Sequence, residues 1–165
     1  MNLNLNLNAE KSVKAGLYVG VLLTTVGVFA WVTGEPFIFP SLGPSAIVLA
    51  LGSSEDYQEV AVGHFIGVVF GLIAYHLLAS GVVLNSGNGA MSIDSLRLSA
   101  SGVVAVSFTT VGMVSTDNVH PPACATTLIV GLGLLATPVK GGIIMASVVV
   151  MLGADAVVSR LPSTL

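Results

Sequence analysis

Charge is the property that this sequence has least of. Only 8% of its 165 residues are charged, against 54% that are hydrophobic, and the mean hydropathy is +0.96. A soluble domain carries roughly a quarter charged residues, so a water-covered globular surface is excluded. With five basic residues and a formal net charge of −3, the chain lacks the basic surface that nucleic-acid binding requires. A single cysteine, Cys124, excludes an intrachain disulfide.

The uncharged stretches are long enough to be membrane spans. Four segments contain no Asp, Glu, Lys or Arg: 15–34, 60–84, 98–116 and 141–154. The first three reach the about 20 residues that a helix needs to cross a bilayer core of ~30 Å. The fourth reaches that length when it continues towards Arg160. The sequence therefore predicts an all-α integral membrane protein with four full transmembrane helices.

Two further uncharged segments contain most of the prolines. Residues 36–54 include Pro36, Pro40 and Pro44, and residues 118–139 include Pro121, Pro122 and Pro138. Proline disrupts a helix interior but is tolerated at the first helical position. We therefore expect an extended lead followed by a short helix in each segment. One helix should begin near Pro44 and end near Gly52, and the other should begin near Pro121 and end at residues 133–136.

The two proline-broken segments resemble each other. "SLGPSAIVLAL" (41–51) aligns with "NVHPPACATTL" (118–128), which places Gly43 opposite His120 and Pro44 opposite Pro121. Each lies between two full spans, and interrupted segments at corresponding positions of duplicated units point to a transporter binding site.

This alignment predicts the domain organisation. A polar segment, 1–14, precedes one membrane domain, 15–160. That domain consists of two pseudo-repeats of span, broken element and span, 15–84 and 96–160, joined by the Gly/Ser/Asn-rich linker 85–95.

Whether the broken elements cross the membrane or turn back is open at this point. Re-entry would leave Lys140 alone opposite the other basic residues, as the positive-inside rule favours. Crossing would place Arg97 and Lys140 together on the outer side, but it creates an inverted repeat whose two helix starts meet near the midplane. We take crossing as the expectation.

Facing helix starts would form an anion site, because the first N–H groups of a helix have no internal partner and carry partial positive charge. The glycine would let a ligand approach the main chain, and hydroxyl, amide and imidazole groups would add hydrogen bonds. The candidate substrate-binding residues are Ser41, Leu42, Gly43, Pro44, Ser45, Asn118, His120, Pro121, Pro122 and Thr126.

Other polar residues in or beside the spans are candidates for a pathway, namely His64, Thr109, Thr110 and Asp117. His64 and His76 are each more typical of a hydrogen-bonded bundle residue than of a proton relay. Asp117 is expected to pair with Lys140 or to lie at a solvated mouth. The stripe Gly63, Gly67 and Gly71 is typical of close helix packing.

At "FPSLGPSA" and "NVHPPACAT" the chain resembles the HPP integral membrane family, named for its His-Pro-Pro motif, and the resemblance extends from about Val13 to Arg160. It implies nitrite transport, as in cyanobacteria and plant chloroplasts, and a bacterial, cyanobacterial-type inner or plasma membrane. Family members often have Gly-Gly-Ala after the prolines, where this chain has Ala123-Cys124-Ala125.

The function expected from the sequence is transport of a small monovalent anion, nitrite first, by a homo-oligomer in a lipid bilayer. Two alternatives are an accessory subunit of a larger membrane complex and an intramembrane enzyme. The enzyme is disfavoured because no metal-ligand cluster, phosphate loop or carboxylate pair accompanies His120 and Cys124. No cofactor and no metal are expected.

Overall fold

The computed structural model describes residues 2–52, 56–85 and 87–160, with side chains from Glu10 onward. The described residues form six α-helices: α1 (Asn2–Thr33), α2 (Ile38–Ala50), α3 (Tyr57–Ala74), α4 (Ile93–Ser115), α5 (Ala123–Gly131) and α6 (Pro138–Val158). A π-helical turn, Tyr75–Ala79, continues α3. These residues contain no strand, which confirms the all-α prediction.

Four of the helices are long and apolar enough to cross a membrane, and each covers most of one of the four predicted spans. Their outer surfaces expose large apolar side chains, including Trp31 at 82%, Leu77 at 77% and Val139 at 74% exposure. Such surfaces are suited to lipid and not to water. The chain is an integral membrane protein. Its first helix begins at Asn2, so it includes most of the predicted polar segment 1–14.

Local sequence signals account for three of the helix starts. The side chain of Glu59 accepts a hydrogen bond from the Asp56 N–H, at the start of α3. The Ser92 hydroxyl oxygen accepts from the Ser95 N–H at 3.1 Å, at the start of α4. The helix α6 begins with proline at its first position, after a threonine cap.

The predicted start of α2 at Pro44 is wrong, because the helix begins six residues earlier, at Ile38, and Pro44 lies inside it. Pro36, Pro40 and Pro44 are spaced by four residues and are all exposed, so they line the outer face. Pro40 falls in the first turn, where the missing N–H costs nothing. Only Pro44 removes an internal hydrogen bond. The extended lead expected over 36–42 is therefore largely helical.

Contacts between helix ends show the direction of each helix. The Tyr18 hydroxyl of α1 donates to Asp155 near the end of α6 at 2.9 Å, and Glu35 after α1 lies 3.1 Å from Lys140 near the start of α6. The Tyr57 hydroxyl, at the start of α3, also donates to Asp155. Hence α1 and α3 begin on the same face of the bundle, here called the first face, and α2 returns to it from the opposite, second face.

The second half of the chain continues this alternation. The Arg97 side chain of α4 donates to the Leu78 carbonyl at the end of α3, on the second face. Gln58 near the start of α3 donates to Asn118 before α5, on the first face. All six helices therefore alternate in direction, and the broken elements traverse the bundle as expected. Three helices per half make the second half inverted relative to the first.

The two halves share one pattern of helix pairing. In the first half α1 packs on α2 and α6; correspondingly, α4 packs on α5 and α3. The pair α2–α6 corresponds to α5–α3, and α2–α5 and α3–α6 meet at the centre. Exchanging the first three helices for the last three reproduces which helices meet, but α3 packs on α5 far more extensively than α6 packs on α2.

Candidate functional site

Five polar side chains form one hydrogen-bonded cluster where α2, α3 and α5 meet. The hydroxyl oxygens of Ser41 and Thr126 are 2.6 Å apart, and His64 Nδ1 lies 2.7 Å from the Thr126 hydroxyl oxygen. His64 Nε2 is 2.9 Å and His120 Nε2 is 2.8 Å from the Ser45 hydroxyl oxygen. All five side chains are fully buried. We call Ser41, Ser45, His64, His120 and Thr126 the central cluster.

The sequence of α2 explains how its two serines reach the cluster. Ser41 and Ser45 are one helical turn apart and lie on the buried face together with Ile38, Leu42 and Ala46, whereas the prolines lie on the opposite face. Leu42 packs in the main hydrophobic core. It is therefore a core residue, although the sequence suggested it as a ligand.

Glycines on α3 bring His64 and α5 close together. A Cβ added at Gly63 would lie 2.8 Å from His120 Cβ, and one added at Gly67 would lie 2.7 Å from the Thr127 hydroxyl oxygen. At Gly71 it would lie 2.8 Å from Val130 Cβ. The glycine stripe therefore lets α5 and the preceding His-Pro-Pro turn lie directly against α3, as its spacing predicted.

The two short helices meet side by side and not end to end. Ser41, in the first turn of α2, contacts Thr126 in the first turn of α5, and Ser45, one turn later, contacts His120, which precedes α5. Residues further along α2 thus contact residues earlier in the α5 segment. The two helices are therefore antiparallel and overlap at their first turns.

The expected backbone anion site is not open in this structure, because the first N–H groups are already used. At α5 the N–H groups of Ala123, Cys124 and Ala125 donate to the carbonyls of the three preceding residues, His120, Pro121 and Pro122. At α2, the N–H groups of Ile38 and Phe39 bond in the same way to Glu35 and Pro36. The tight turns before each helix supply these acceptors, and side chains therefore provide the polar character of the site.

The remaining substrate-binding candidates lie outside the central cluster. Gly43 is half-buried in the middle of α2, and an added Cβ there would meet no atom within 4 Å. Pro44 and Pro121 are exposed, and Pro122 is half-buried. Asn118 is buried at the first face, where its side chain donates to the Thr116 carbonyl and accepts from Gln58.

The pathway candidates separate into buried and exposed groups. His64 belongs to the central cluster, and Thr109 lies beside it, accepting a hydrogen bond from Thr127 at 3.2 Å. Thr110 is exposed and donates to its own helix at Val106. Asp117 is exposed on the first face, so it cannot pair with Lys140, which bonds Glu35 on the second face.

His64 is the residue whose importance the sequence understated, since it joins three helices within the cluster. The available signal was its position inside an uncharged span, where an ionisable residue is a functional candidate by default. His76, on the same span, is exposed and contacts only the Tyr75 ring among the aromatic side chains that the structure describes.

A second polar cluster fastens the first face. Asp155 is 6% exposed and accepts hydrogen bonds from the Tyr18 hydroxyl at 2.9 Å and the Tyr57 hydroxyl at 2.5 Å. It thereby links α1, α3 and α6. Within the described segments, no group of three or more His, Cys, Asp or Glu side chains could hold a metal ion.

Comparison with known protein families agrees with the motifs that form this site. Residues 6–163 match the HPP transmembrane region, nearly the whole chain. The chain belongs to the HPP family. No curated protein and no solved structure shows a significant match to it. The matched range includes the His-Pro-Pro turn and all four long apolar helices from residue 6 onward, and its description names no substrate.

Proposed function

We propose that this HPP protein transports a small monovalent anion, with nitrite as the first candidate, across a bacterial membrane. The observation that carries the proposal is the central cluster, a fully buried group of three hydroxyls and two imidazoles at the crossing of the two broken helices. Nitrite as the substrate rests on the family's link to nitrite transport.

The architecture supports transport. Secondary transporters commonly combine inverted halves with interrupted helices that meet near the bilayer midplane, where the substrate binds. Here α2 and α5 are the two interrupted helices, the halves are inverted, and the polar cluster lies where these helices overlap. An accessory subunit would not need this duplicated crossing.

The chemistry of the cluster favours an anion over a cation. Its members are Ser41, Ser45, Thr126, His64 and His120, which supply neutral donors, or a positive charge when an imidazole is protonated. None of the five is a carboxylate. A small oxyanion could accept hydrogen bonds from several of these groups at once.

The cluster is closed in this conformation, since its hydroxyls and imidazoles bond one another. The buried side-chain nitrogen and oxygen atoms of the described residues all have partners. An anion would therefore replace the internal bonds of the cluster as α2 and α5 move apart. The donors of the cluster would then bond the anion instead of one another. Because no donor is left without a partner, the cost of desolvating the cluster is limited.

Uptake of labelled nitrite by purified protein in liposomes tests the proposal, with protein-free vesicles as the background. In the wild type, nitrite should enter faster than the background and without chemical change. His120→Ala should weaken apparent affinity about 2- to 150-fold, since one hydrogen bond is worth about 0.5–1.5 kcal/mol when neutral and about 1.5–3 kcal/mol when charged. His76→Ala, which removes an exposed imidazole on α3, should leave affinity unchanged.

The alternatives give different results in the same experiment. No nitrite flux from well-folded wild-type protein would favour an accessory subunit, and conversion of nitrite into another product would favour an enzyme. Equal affinity in the His120→Ala and His76→Ala proteins would place the anion site away from the central cluster. A cross-linking ladder in the same vesicles would test the expected homo-oligomer.

A further inference from the structure

The six helices pack as two groups that do not follow the order of the chain. The helix α1 packs most extensively on α2, and α6 packs more on α1 than on α3, whereas α3 packs most extensively on α5 and α4. We call α1, α2 and α6 the first group and α3, α4 and α5 the second group. The groups meet chiefly where α2 lies on α5 and where α3 lies on α6. The central cluster joins them in the middle of this boundary.

Polar contacts hold the helices of the first group together at both faces. The Tyr18 hydroxyl donates to Asp155 at the first face, and Lys140 pairs with Glu35 at the second face, so α1 and α6 are joined near both ends. In the second group, the glycine stripe lets α5 pack directly against α3. Each group is therefore suited to move as one body.

The boundary between α3 and α6 differs along its length. At the first face the Tyr57 hydroxyl of α3 donates to Asp155 of α6 at 2.5 Å, which links the two groups. In the second half of α3, a Cβ added at Gly141 of α6 would lie 2.7 Å from Val68 Cγ1. The two helices are therefore joined by a hydrogen bond at the first face and by close apolar packing on the other side of the central cluster.

One side of α3 leads from Tyr57 to the central cluster. Tyr57, Val60, His64 and Val68 recur at helical spacing, so they lie on the same side of the helix. Tyr57 is 38% exposed, whereas Val60 and His64 are fully buried. His64 lies about 10 Å beyond Tyr57 along the helix axis. Separation of α3 from α6 at Tyr57 would therefore admit water along this side to an imidazole of the cluster.

We infer that the hydrogen bond between Tyr57 and Asp155 is a gate, which closes the central cluster to water at the first face and opens when the two groups part. The inference rests on the proposed function for its purpose, since a transported anion must reach the cluster from water.

Opening this gate leaves no polar group stranded. Asp155 keeps its bond from the Tyr18 hydroxyl, because both residues belong to the first group. The Tyr57 hydroxyl and the freed oxygen of Asp155 both meet the water that enters. Opening therefore exchanges one hydrogen bond for others and avoids the larger cost of an unsatisfied buried group.

Two matched tyrosine variants test the gate. Tyr57→Phe and Tyr18→Phe each remove one hydroxyl that donates to Asp155. The first of these bonds crosses between the groups, and the second lies within the first group. The gate therefore predicts that Tyr57→Phe opens the first face and that Tyr18→Phe does not. A merely structural role of the two bonds would predict no such difference.

Cysteine labelling reports on which side of the cluster the boundary opens. In a Cys124→Ser parent, Val60→Cys places the sole thiol between the gate and the cluster, and Val68→Cys places it beyond the cluster. Both valines are buried, at 0% and 6% exposure, so labelling requires an opening. The protein is held in lipid nanodiscs, which expose both faces to a charged thiol reagent that does not enter lipid.

Labelling of Val60→Cys should be about tenfold faster with Tyr57→Phe than in the parent. This factor is the lower end of what a hydrogen bond to a charged acceptor contributes, because Tyr57 is partly exposed. Tyr18→Phe should leave the labelling rate at that of the parent. Val68→Cys should label no faster with either substitution.

Met151→Cys is a second reporter of the same opening. Met151 is fully buried one turn before Asp155, on the α6 side of the boundary. Its labelling should also be faster with Tyr57→Phe, and it replaces Val60→Cys if that variant does not fold.

Each outcome supports or overturns the gate. Equal labelling rates with Tyr57→Phe and Tyr18→Phe overturn it. Faster labelling of both Val60→Cys and Val68→Cys with Tyr57→Phe also overturns it, because the whole boundary would then be loosened. The labelling needs no anion, so it is independent of the proposed function. If Tyr57→Phe opens the first face as expected but the wild type moves no nitrite in liposomes, the gate stands and the transport proposal fails.

Discussion

Replacing Ser45 by alanine should destabilise the protein more than any other single hydroxyl deletion in the bundle. The Ser45 hydroxyl oxygen lies within hydrogen-bond distance of both imidazoles of the cluster, at 2.9 and 2.8 Å, and its side chain is fully buried. Its removal leaves two buried ring nitrogens facing a methyl group. Leaving a buried polar group unsatisfied costs about 1–3 kcal/mol.

A tautomer change can reduce that cost at only one of the two rings, so we expect a loss of about 2–4 kcal/mol. For a chain of this length, each kcal/mol shifts the melting temperature by about 2–4 °C. Ser45→Ala should therefore melt roughly 4–16 °C below the wild type. The single cysteine, Cys124, is half-buried, so a thiol-reactive fluorophore can report unfolding in detergent.

Two other serine-to-alanine variants provide reference values for the loss of stability in Ser45→Ala. Ser41→Ala removes one hydrogen bond but leaves Thr126 bonded to His64, so the loss should be about 1 kcal/mol. Ser99→Ala removes an exposed hydroxyl that bonds its own helix at Ser95, and the change should stay within about 0.5 kcal/mol. Equal melting temperatures for the Ser45 and Ser99 variants would refute the view that the cluster is a mutually satisfied network.

Three further predictions use the same melting assay. Gly67→Ala should cost about 1–3 kcal/mol, because its Cβ would lie 3.0 Å from the Ala123 carbonyl, whereas Gly20→Ala has open space and should not destabilise; equal effects would contradict close α3–α5 packing. Asp155→Ala should cost about 1–2 kcal/mol by removing two hydrogen bonds from partly exposed tyrosine hydroxyls, and a wild-type melting temperature would mean that those bonds do not stabilise the first face. Gly43→Ala should stabilise α2 by about 0.5–1 kcal/mol; if the stabilised variant also takes up nitrite normally, the predicted close approach of a ligand at Gly43 is wrong.

The spans were predictable because their signal is contained in short windows of sequence. Long uncharged runs such as 60–84 are apolar on all sides, and such runs require a helix in a bilayer. The pairing of the broken elements was predictable for a similar reason, since each contains a proline in the same local context. Both inferences needed only neighbouring residues.

The start of α2 at Ile38 was not predicted, because the rule against proline in helices does not consider which face of the helix the proline occupies. Proline is disfavoured inside a helix because it has no N–H to donate and because its ring clashes with the preceding turn. Pro40 and Pro44 are one turn apart and both point outward, so the rings avoid the packed face, and only one internal bond is lost. The four-residue spacing of the prolines is visible in the sequence. Their outward orientation is not, because it depends on which face of α2 the serines occupy.

The central cluster could not be assembled from the sequence, because its members come from distant positions. His64 meets Thr126 across 62 residues and Ser45 across 19. His64 and His76 lie in the same uncharged span, yet one is fully buried and the other exposed. The glycines beside His64 decide this difference, since they let α5 approach the ring.

The two halves share a pattern of helix pairing but differ in their chemistry. Exchanging the halves reproduces which helices meet, whereas Gly43 in the first half stands where the second half has His120. Because the halves are inverted, a conformation in which they exchange packing roles would open the cluster towards the other face. His120 has no imidazole counterpart at Gly43, so its exposure would differ between the two conformations. We therefore expect two accessible conformations that differ in the face to which His120 is exposed, and alkylation or hydrogen exchange at that ring from each side of the membrane would distinguish them.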